Sequence, residues 1–386
     1  MKNVSEKISQ YLGYLKLDPA NAILCVQLGD LYHSQGDLEE ARKYFTAALD
    51  SEPENSVYLS RLGNLCLSEH KFLEAVKLFE HALEIAQGDT SVMYNLGLAR
   101  FYAKQFEYAQ GIFESLEGEN EGAKFPDLDF YLVSSLHNQG KKEEAISQAE
   151  TLLAKKSDNK LRGYLSLIQM DNFDMGAAVK TASEVLAHDP ENVDAATVLG
   201  NRAIEEQETG EAKKLFDLVA EREPESPRGW QGKGLVALLN KDLDLAEGYF
   251  RKTLEIDPNQ VGNYNTLGWT YIIKHQFERA EDVFRKGIEA NRNNSEVHGG
   301  LAVALVFQNK LDEGRREADT ALKLNKFSFG AVYAKSIMLQ LKGKEKVAAK
   351  VLGGMLDQPL GNGKASLMDH LRKYESRNGG QSDKTL

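Results

Sequence analysis

The chain has 386 residues, of which 42% are hydrophobic and 27% are charged, a balance typical of folded proteins in water. Its net charge is −11, from 47 basic and 58 acidic side chains. The charge is uneven: residues 342–386 carry nine Lys or Arg against five Asp or Glu, whereas residues 1–341 carry 38 against 53. An acidic body of this kind argues against nucleic acid and anionic membranes as general partners.

Neither the cysteines nor the hydropathy pattern indicates secretion or membrane insertion. Two cysteines, Cys25 and Cys66, are too few to staple a chain of this length, and free thiols are typical of a reducing compartment. No run of about 18 apolar residues occurs, so no transmembrane span is predicted. The first residues, MKNVSEKISQYLGYLKLDPAN, lack the apolar centre of a signal peptide. We therefore expect a cytoplasmic protein.

One fixed period, of about 34 residues, runs along the chain and is typical of a solenoid. Five of the eight prolines follow this period. The first two lie one period apart, the third lies four periods plus one residue after the second, and the last three follow one another at one period each. These prolines are Pro19, Pro53, Pro190, Pro224 and Pro258. If a proline closes each unit, the units begin at Ala22, Ser56, Thr90, Pro126, Asn159, Val193, Pro227, Val261, Ser295 and Phe329.

Each unit carries two amphipathic runs with apolar residues at helical spacing, split by a polar turn such as SQGDLEE or LNKDLDL. The twentieth position of every unit is small, which predicts a close helix crossing there. These residues are Ala41, Ala75, Ala109, Ala145, Ala178, Ala212, Ala246, Ala280, Gly314 and Ala348. The segment VSEKISQYLGYLKL, before the first unit, predicts one further helix.

Glycine at the eighth position and phenylalanine at the twenty-fourth occur in the same six units. Where glycine is lost, phenylalanine is lost too, as in Val133 with Ala149 and Ser166 with Ala182. A glycine inside a helix costs about 1 kcal/mol relative to alanine, so six at one register need a compensating contact. We expect each ring to fill the space left by its glycine. The pairs are Gly29–Phe45, Gly63–Phe79, Gly97–Phe113, Gly200–Phe216, Gly234–Phe250 and Gly268–Phe284.

This pattern resembles the tetratricopeptide repeat, whose signature is W-x2-L-G-x2-Y, then A-x3-F, then P. YNTLGWTY followed by AEDVF, and CVQLGDLY followed by ARKYF, carry the resemblance, which covers roughly residues 22–355. It implies an all-α fold, a right-handed superhelical solenoid of antiparallel helix pairs. It says almost nothing about the partner.

The strength of the repeat signal predicts the domain organisation. Residues 22–123 and 193–294 each hold three strong units, and 124–192 and 295–355 each hold two degenerate ones. Solenoid ends need atypical caps. We expect an N-terminal capping helix in 1–21, a C-terminal capping helix in 356–378 and a disordered tail in 379–386.

The chain carries no motif that indicates catalysis. GNGKAS has Gln358 where a phosphate-binding loop needs glycine, and Ala365 where it needs Ser or Thr. The histidines and cysteines lack metal-ligand spacing, and Cys25 falls at a position that is normally packed. Because repeats fill most of the chain, we expect no enzyme activity, no cofactor and no metal.

In tetratricopeptide arrays, positions 2, 5, 9, 12 and 13 of each unit line a concave groove. Carried over to this sequence, they predict a polar groove in the first two units and an apolar one from unit seven onward, with Gly299 lowering one wall. An alternative is that positions 12 and 13 belong partly to the core. The predicted partner-binding residues are Tyr94, Leu98, Tyr102, Asn201, Gln231, Leu235, Leu239, Asn265, Trp269, Ile273, Val303 and Phe307.

The resemblance implies a protein-interaction scaffold or co-chaperone that binds a helical or extended partner segment. By analogy, such a protein serves assembly of a secretion, pilus or envelope machine. Alternatives are a subunit that dimerises through its C-terminal repeats and a regulatory subunit that recruits an enzyme, so monomer and homodimer both stay open. The segment SLMDHLRKY could itself occupy the groove. A carboxylate clamp is not predicted, because Ser60, Asp127 and Tyr131 replace its basic residues.

Overall fold

The computed structural model describes residues 4–118 and 124–357. Within these ranges every regular element is an α-helix, which confirms the all-α prediction. The chain divides into two compact units, Met1–Asp174 and Met175–Leu386. No helix in the described ranges has the length and apolar character that crossing a bilayer requires. The predicted C-terminal capping helix and tail fall almost wholly outside these ranges.

The first unit contains ten helices within its described residues. They are α1 (Val4–Leu17), α2 (Ala22–Ser34), α3 (Leu38–Ser51), α4 (Ser56–Ser68), α5 (Phe72–Ile85), α6 (Thr90–Tyr102), α7 (Phe106–Gly118), α8 (Leu128–Asn138), α9 (Lys142–Lys155) and α10 (Asn159–Asp171). Helix α1 coincides with the predicted helix that precedes the repeats, and its Ile8 is buried beside Ala22 and Cys25 of α2.

The second unit contains eleven helices in the part of it that the structure describes. They are α11 (Met175–His188), α12 (Val193–Glu205), α13 (Thr209–Arg222), α14 (Pro227–Leu239), α15 (Leu243–Ile256), α16 (Val261–Ile273), α17 (Phe277–Ala290), α18 (Ser295–Phe307), α19 (Leu311–Leu324), α20 (Phe329–Gln340) and α21 (Glu345–Leu356). The two helices of the fifth repeat, α10 and α11, fall in different units.

The other repeats are packed helix pairs, from α2–α3 to α20–α21. We call the first helix of each repeat A and the second B. Nine of the ten A helices begin at the residue given by the repeat period, and α8 begins two residues after Pro126. An Asn or Asp side chain caps many of these starts: the Asn21 oxygen accepts from the Leu24 amide at 3.0 Å, and the Asn192 oxygen accepts from the Ala195 amide at 3.0 Å.

Glycine and phenylalanine pack against each other in all six predicted pairs, which confirms that expectation. A β-carbon added to the glycine would lie between 2.3 Å (Gly234) and 2.8 Å (Gly200) from the nearest ring atom of its phenylalanine. All six rings are almost completely buried. Alanine at the twentieth position is fully buried wherever it occurs. Small residues therefore let the two helices of a pair approach closely, and one phenylalanine ring fills the space between them.

Two rings are enclosed by glycines from both sides. Phe216 packs against Gly200 of its own repeat and against Gly232 of the next A helix, where a β-carbon would lie 2.1 Å from the ring. Phe284 has the same arrangement with Gly268 and Gly300, the latter at 2.3 Å. The sixth position of the next repeat therefore completes the packing around these two rings.

Every repeat turns from helix A to helix B through one residue with positive φ. Three of these residues are glycines, and seven carry a side chain in a conformation that L-residues adopt at a cost. They are Gly36, His70, Lys104, Gly140, Phe173, Gln207, Lys241, His275, Asn309 and Gly343. Phe173, with φ 62° and its side chain 72% exposed, combines the bulkiest side chain of this set with almost no packing.

Phe173→Gly is expected to raise the free energy of unfolding by about 1 kcal/mol, because glycine removes the left-handed strain and little burial is lost. The matched control is Phe327→Gly. Phe327 is also an exposed ring next to a lysine. Lys326 Nζ lies 4.8 Å from the centre of the Phe327 ring, and Lys142 Nζ lies 5.6 Å from the centre of the Phe173 ring. However, Phe327 has no positive φ. Thermal melting of both variants checks the prediction, and an equal shift in both would refute it.

Candidate partner-binding surface

Four successive A helices of the second unit end in a large, exposed apolar side chain. Leu239, Ile273 and Phe307 are the last residues of α14, α16 and α18, and Leu341 follows α20 directly. Their exposed fractions are 38%, 50%, 40% and 61%. We call these four residues the C-terminal ridge. Hydrophobic residues scattered singly over a surface need no explanation, but a row at one repeat register does.

The C-terminal ridge follows from the sequence register. Its members are spaced by one repeat period and occupy position 13 of repeats seven to ten. In the first two repeats this position is Ser34 and Ser68, and in α12 it is Glu205. The apolar row is therefore a property of the last four repeats and not of the repeat itself.

An aromatic cluster lies beside the C-terminal ridge. Trp269 of α16 has its ring 5.9 Å from Phe329 of α20, and Phe329 stacks on Tyr333 at 5.9 Å. Phe307 stacks on Phe277 at 4.7 Å and meets Tyr333 edge-on at 6.4 Å. Trp269 is only half-buried. Side chains from the helices on both sides of α18 thus meet across it.

This arrangement corrects the predicted groove at α18. Val303, a predicted partner contact, is fully buried in the core cluster of repeats seven to ten, against which Trp269 also packs. Gly299 does not lower a groove wall. Its added β-carbon would lie 2.7 Å from Ser328 Oγ, and one on Gly330 would lie 2.5 Å from the Gly299 carbonyl carbon. Helices α18 and α20 are in backbone contact here, so no open groove exists at these residues.

The remaining predicted residues of the second unit are half-buried. Leu235 packs against the core cluster of repeats seven to ten. Asn201 Nδ2 donates to the Thr197 carbonyl of its own helix at 2.9 Å. The side-chain oxygen of Asn265 is buried and accepts no hydrogen bond from a described residue. Gln231 is half-buried in the same way. None of these four presents a large surface to a partner.

In the first unit, the predicted residues join an aromatic cluster of their own. Tyr94 stacks on Phe125 at 4.4 Å, and its burial raises the pKa of its hydroxyl to about 12. The Tyr102 hydroxyl lies 2.9 Å from that of Tyr131, and its side chain is exposed. Leu98 packs against the neighbouring core. Of the three predicted residues in this unit, Tyr102 alone offers an exposed apolar surface.

Ion pairs between repeats line the A–B turns next to the C-terminal ridge. Lys274 Nζ lies 2.6 Å from Asp244 and also pairs with Glu247. In the next repeat Glu281 accepts hydrogen bonds from Lys310 and Gln308 at 2.8 Å and from Arg285 at 2.7 Å. Burial alone would raise the pKa of Glu281, but these three donors lower it to about 2.

Glu281→Gln is expected to remove stability on the order of 2 kcal/mol at neutral pH. Because the pKa of Glu281 is lower in the folded than in the unfolded chain, the stability that its carboxylate contributes is fully present above the ordinary glutamate pKa. This stability is lost as the pH falls toward about 2. Denaturant unfolding of wild type and variant between pH 7 and 2 therefore gives two curves that converge in acid. A constant difference across this range would contradict the assignment.

The described residues show no arrangement placed to bind a metal ion. They contain no group of three or more His, Cys, Asp or Glu side chains placed to hold a metal ion. Cys25 and Cys66 are free and buried. Burial raises the pKa of the Cys66 thiol to about 11 despite Arg42, whose Nη2 donates to the sulfur at 3.1 Å. A protonated, buried thiol is a poor nucleophile.

Tetratricopeptide repeat models match residues 22–55, 197–261 and 249–282. No curated protein sequence gives a significant match. Among solved structures, the human IFIT1 dimer with m7Gppp-AAAA is similar, with a TM-score of 0.55 and 15% identity over 87% of this chain and 90% of that chain. A crystal structure of yeast Tom70 matches with a TM-score of 0.43 and 18% identity over 96% of this chain and 91% of that chain.

The likeness to IFIT1 supports the fold alone. The family matches fall on helix pairs that follow the repeat period and carry the packed Gly–Phe pairs. The chain therefore carries tetratricopeptide repeats at residues 22–55 and 197–282.

Proposed function

We propose that this chain is a non-enzymatic interaction scaffold that binds a segment of a partner protein along the C-terminal ridge. The observation that carries the proposal is the row of four exposed apolar side chains at one register of four successive repeats. The equivalent positions in the first two repeats are serines, so the helix pairs do not need apolar residues there in order to pack.

An exposed apolar row suits an amphipathic helix or an extended peptide, either of which can present side chains at regular intervals. A co-chaperone or an assembly factor uses such a surface, since both hold apolar segments of other proteins. Binding energy would concentrate in a few large side chains. We expect Ile273 and Leu341, the most exposed members, to contact the partner directly.

Site-specific photo-crosslinking tests this proposal. A benzophenone amino acid placed at Ile273 is expected to give a discrete adduct with a partner in native lysate, identified by mass spectrometry. The control is the same probe at Leu245 on α15, which is 46% exposed and lies outside the C-terminal ridge. Equal adducts from both positions, or none from Ile273, would exclude the ridge as the binding surface.

A further inference from the structure

Four of the junctions between successive repeats share one polar contact. It links position 21, on a B helix, to position 14, just after the next A helix. In the first unit Arg42 donates to Glu69 at 3.1 Å, and in the second unit Gln308 donates to Glu281 at 2.8 Å. Lys274 also pairs with Glu247 in this way. Each of these contacts joins a donor to an acceptor, so the charges are satisfied within the chain.

The last junction, between α19 and α20, lacks this contact, as does the junction of Val76 and Ala103. Positions 21 and 14 of the last junction are Arg315 and Lys342, which carry the same charge. Both are exposed, and neither forms a salt bridge with a described residue. They line an open cleft of about 240 Å³ between α19 and α20, together with Met338 and Leu339. Among the described residues that line the cleft, one carboxylate, Asp319, pairs with Lys335 at 2.7 Å and also interacts electrostatically with Arg315.

Two more cations lie beside the C-terminal ridge. Lys241 follows Leu239 by two residues, and Lys344 follows Leu341 by three. Both are exposed, and neither pairs with an acid in the described ranges. Together with Arg315 and Lys342 they place four exposed cations near the two ends of the ridge, with Asp242 following Lys241 and Glu345 following Lys344 in the sequence.

We propose that the C-terminal ridge binds an acidic amphipathic segment of a partner protein, with one carboxylate of that segment held between Arg315 and Lys342. This proposal rests on the proposed function and adds the chemistry of the partner. The ridge supplies apolar contacts, and the cations supply charge complementarity, which selects the partner and speeds its association.

Charge also argues against two other occupants. Residues 358–386 of this chain carry five Lys or Arg against three Asp or Glu, a balance of +2, so they would be repelled from a basic cleft. An anionic membrane would meet the acidic body of the chain, where residues 1–341 carry 38 basic against 53 acidic side chains.

The spacing of the ridge defines the segment further. Where successive A helices pack directly, as α16 with α18 and α18 with α20, their axes lie about 8–10 Å apart, and an α-helix advances about 10.5 Å in seven residues. A helical partner would therefore place an apolar residue at every seventh position, with Asp or Glu beside it. An extended partner would place one at every third residue, since three residues span about 10 Å.

Three synthetic helical peptides of about 24 residues test the proposal, each with four leucines seven residues apart. The first carries Glu beside each leucine, the second carries Lys, and the third carries Glu with the leucines replaced by Ser. Fluorescence anisotropy with the full chain is expected to show binding of the first peptide at least about tenfold tighter than of the other two.

The Arg315→Gln/Lys342→Gln variant is expected to weaken binding of the Glu peptide by about tenfold, and rising salt should have the same effect in wild type. The matched control, Lys214→Gln/Lys286→Gln, removes two exposed lysines of the B helices α13 and α17 that have no ion pair in the described ranges. Circular dichroism confirms that both variants fold. Equal binding of the Glu and Lys peptides, or equal loss in both variants, would overturn the proposal.

Three further outcomes would overturn it as well. These are no binding of any peptide, sedimentation of the chain with phosphatidylserine vesicles, and a doubled mass in light scattering that Ile273→Ser/Leu341→Ser abolishes. Failure of the proposed function itself is distinguishable. In that case Ile273 gives no specific crosslink, whereas failure of the partner chemistry alone leaves the crosslink in place and shows no preference for acidic peptides.

Discussion

Gly330→Ala is expected to lower the free energy of unfolding of the second unit by about 3 kcal/mol. The added β-carbon would lie 2.5 Å from the carbonyl carbon of Gly299 and 2.9 Å from the amide nitrogen of Gly300. These are backbone atoms of α18, so no side chain can move aside to make room. Helices α18 and α20 would have to separate, which exposes the core that buries Val303.

The control for this prediction is Gly353→Ala in α21. No heavy atom lies within 4 Å of a β-carbon added there, so alanine should be neutral or stabilise by up to about 1 kcal/mol. Urea unfolding compares the two variants. Hydrogen exchange should locate the loss in α18 and α20. If both variants unfold at the same urea concentration, the close backbone contact does not exist in solution.

Phe284→Ala is expected to cost about 4 kcal/mol, the second large effect. Its ring is fully buried and packs against two glycines, with an added β-carbon 2.4 Å away at Gly268 and 2.3 Å away at Gly300. Removing the ring leaves a cavity that the rigid helix pair cannot close. The free energy of unfolding from urea titration measures the loss.

A double-mutant cycle separates this packing from general core loss. Gly268→Ala alone should destabilise, because its methyl group meets the Phe284 ring. In the Phe284→Ala background the same change should stabilise by about 1 kcal/mol, because the ring is gone and alanine favours the helix. The sign of the effect therefore reverses. Additive free energies in the cycle would show that the two residues do not pack together.

The contacts within a repeat could be predicted from the sequence because both partners change together. Gly268 and Phe284 are present in a strong repeat, whereas Ser166 and Ala182 replace the pair in a degenerate one. One chain that repeats itself ten times supplies this comparison without any relative. The second glycine against Phe284, Gly300, was missed because its position is not glycine in most repeats.

Contacts between repeats could be predicted less well, because they depend on how closely one repeat approaches the next. Val303 occupies a position that faces the groove in this family, yet the Gly299–Gly330 contact brings α20 close and buries it. Leu341 was missed although it lies one period after Phe307, so extending the register by one repeat would have found it. The like-charged pair of Arg315 and Lys342 needed the structure, because α19 and α20 bring the two side chains to one cleft.

We propose that a partner covers the C-terminal ridge. Isothermal calorimetry measures this directly, with the partner segment that crosslinks to position 273 titrated into three proteins: wild type, Ile273→Ser/Leu341→Ser and Leu245→Ser. We predict a loss of affinity of at least about 30-fold for the ridge variant and none for Leu245→Ser. Equal affinities for all three proteins would contradict the claim.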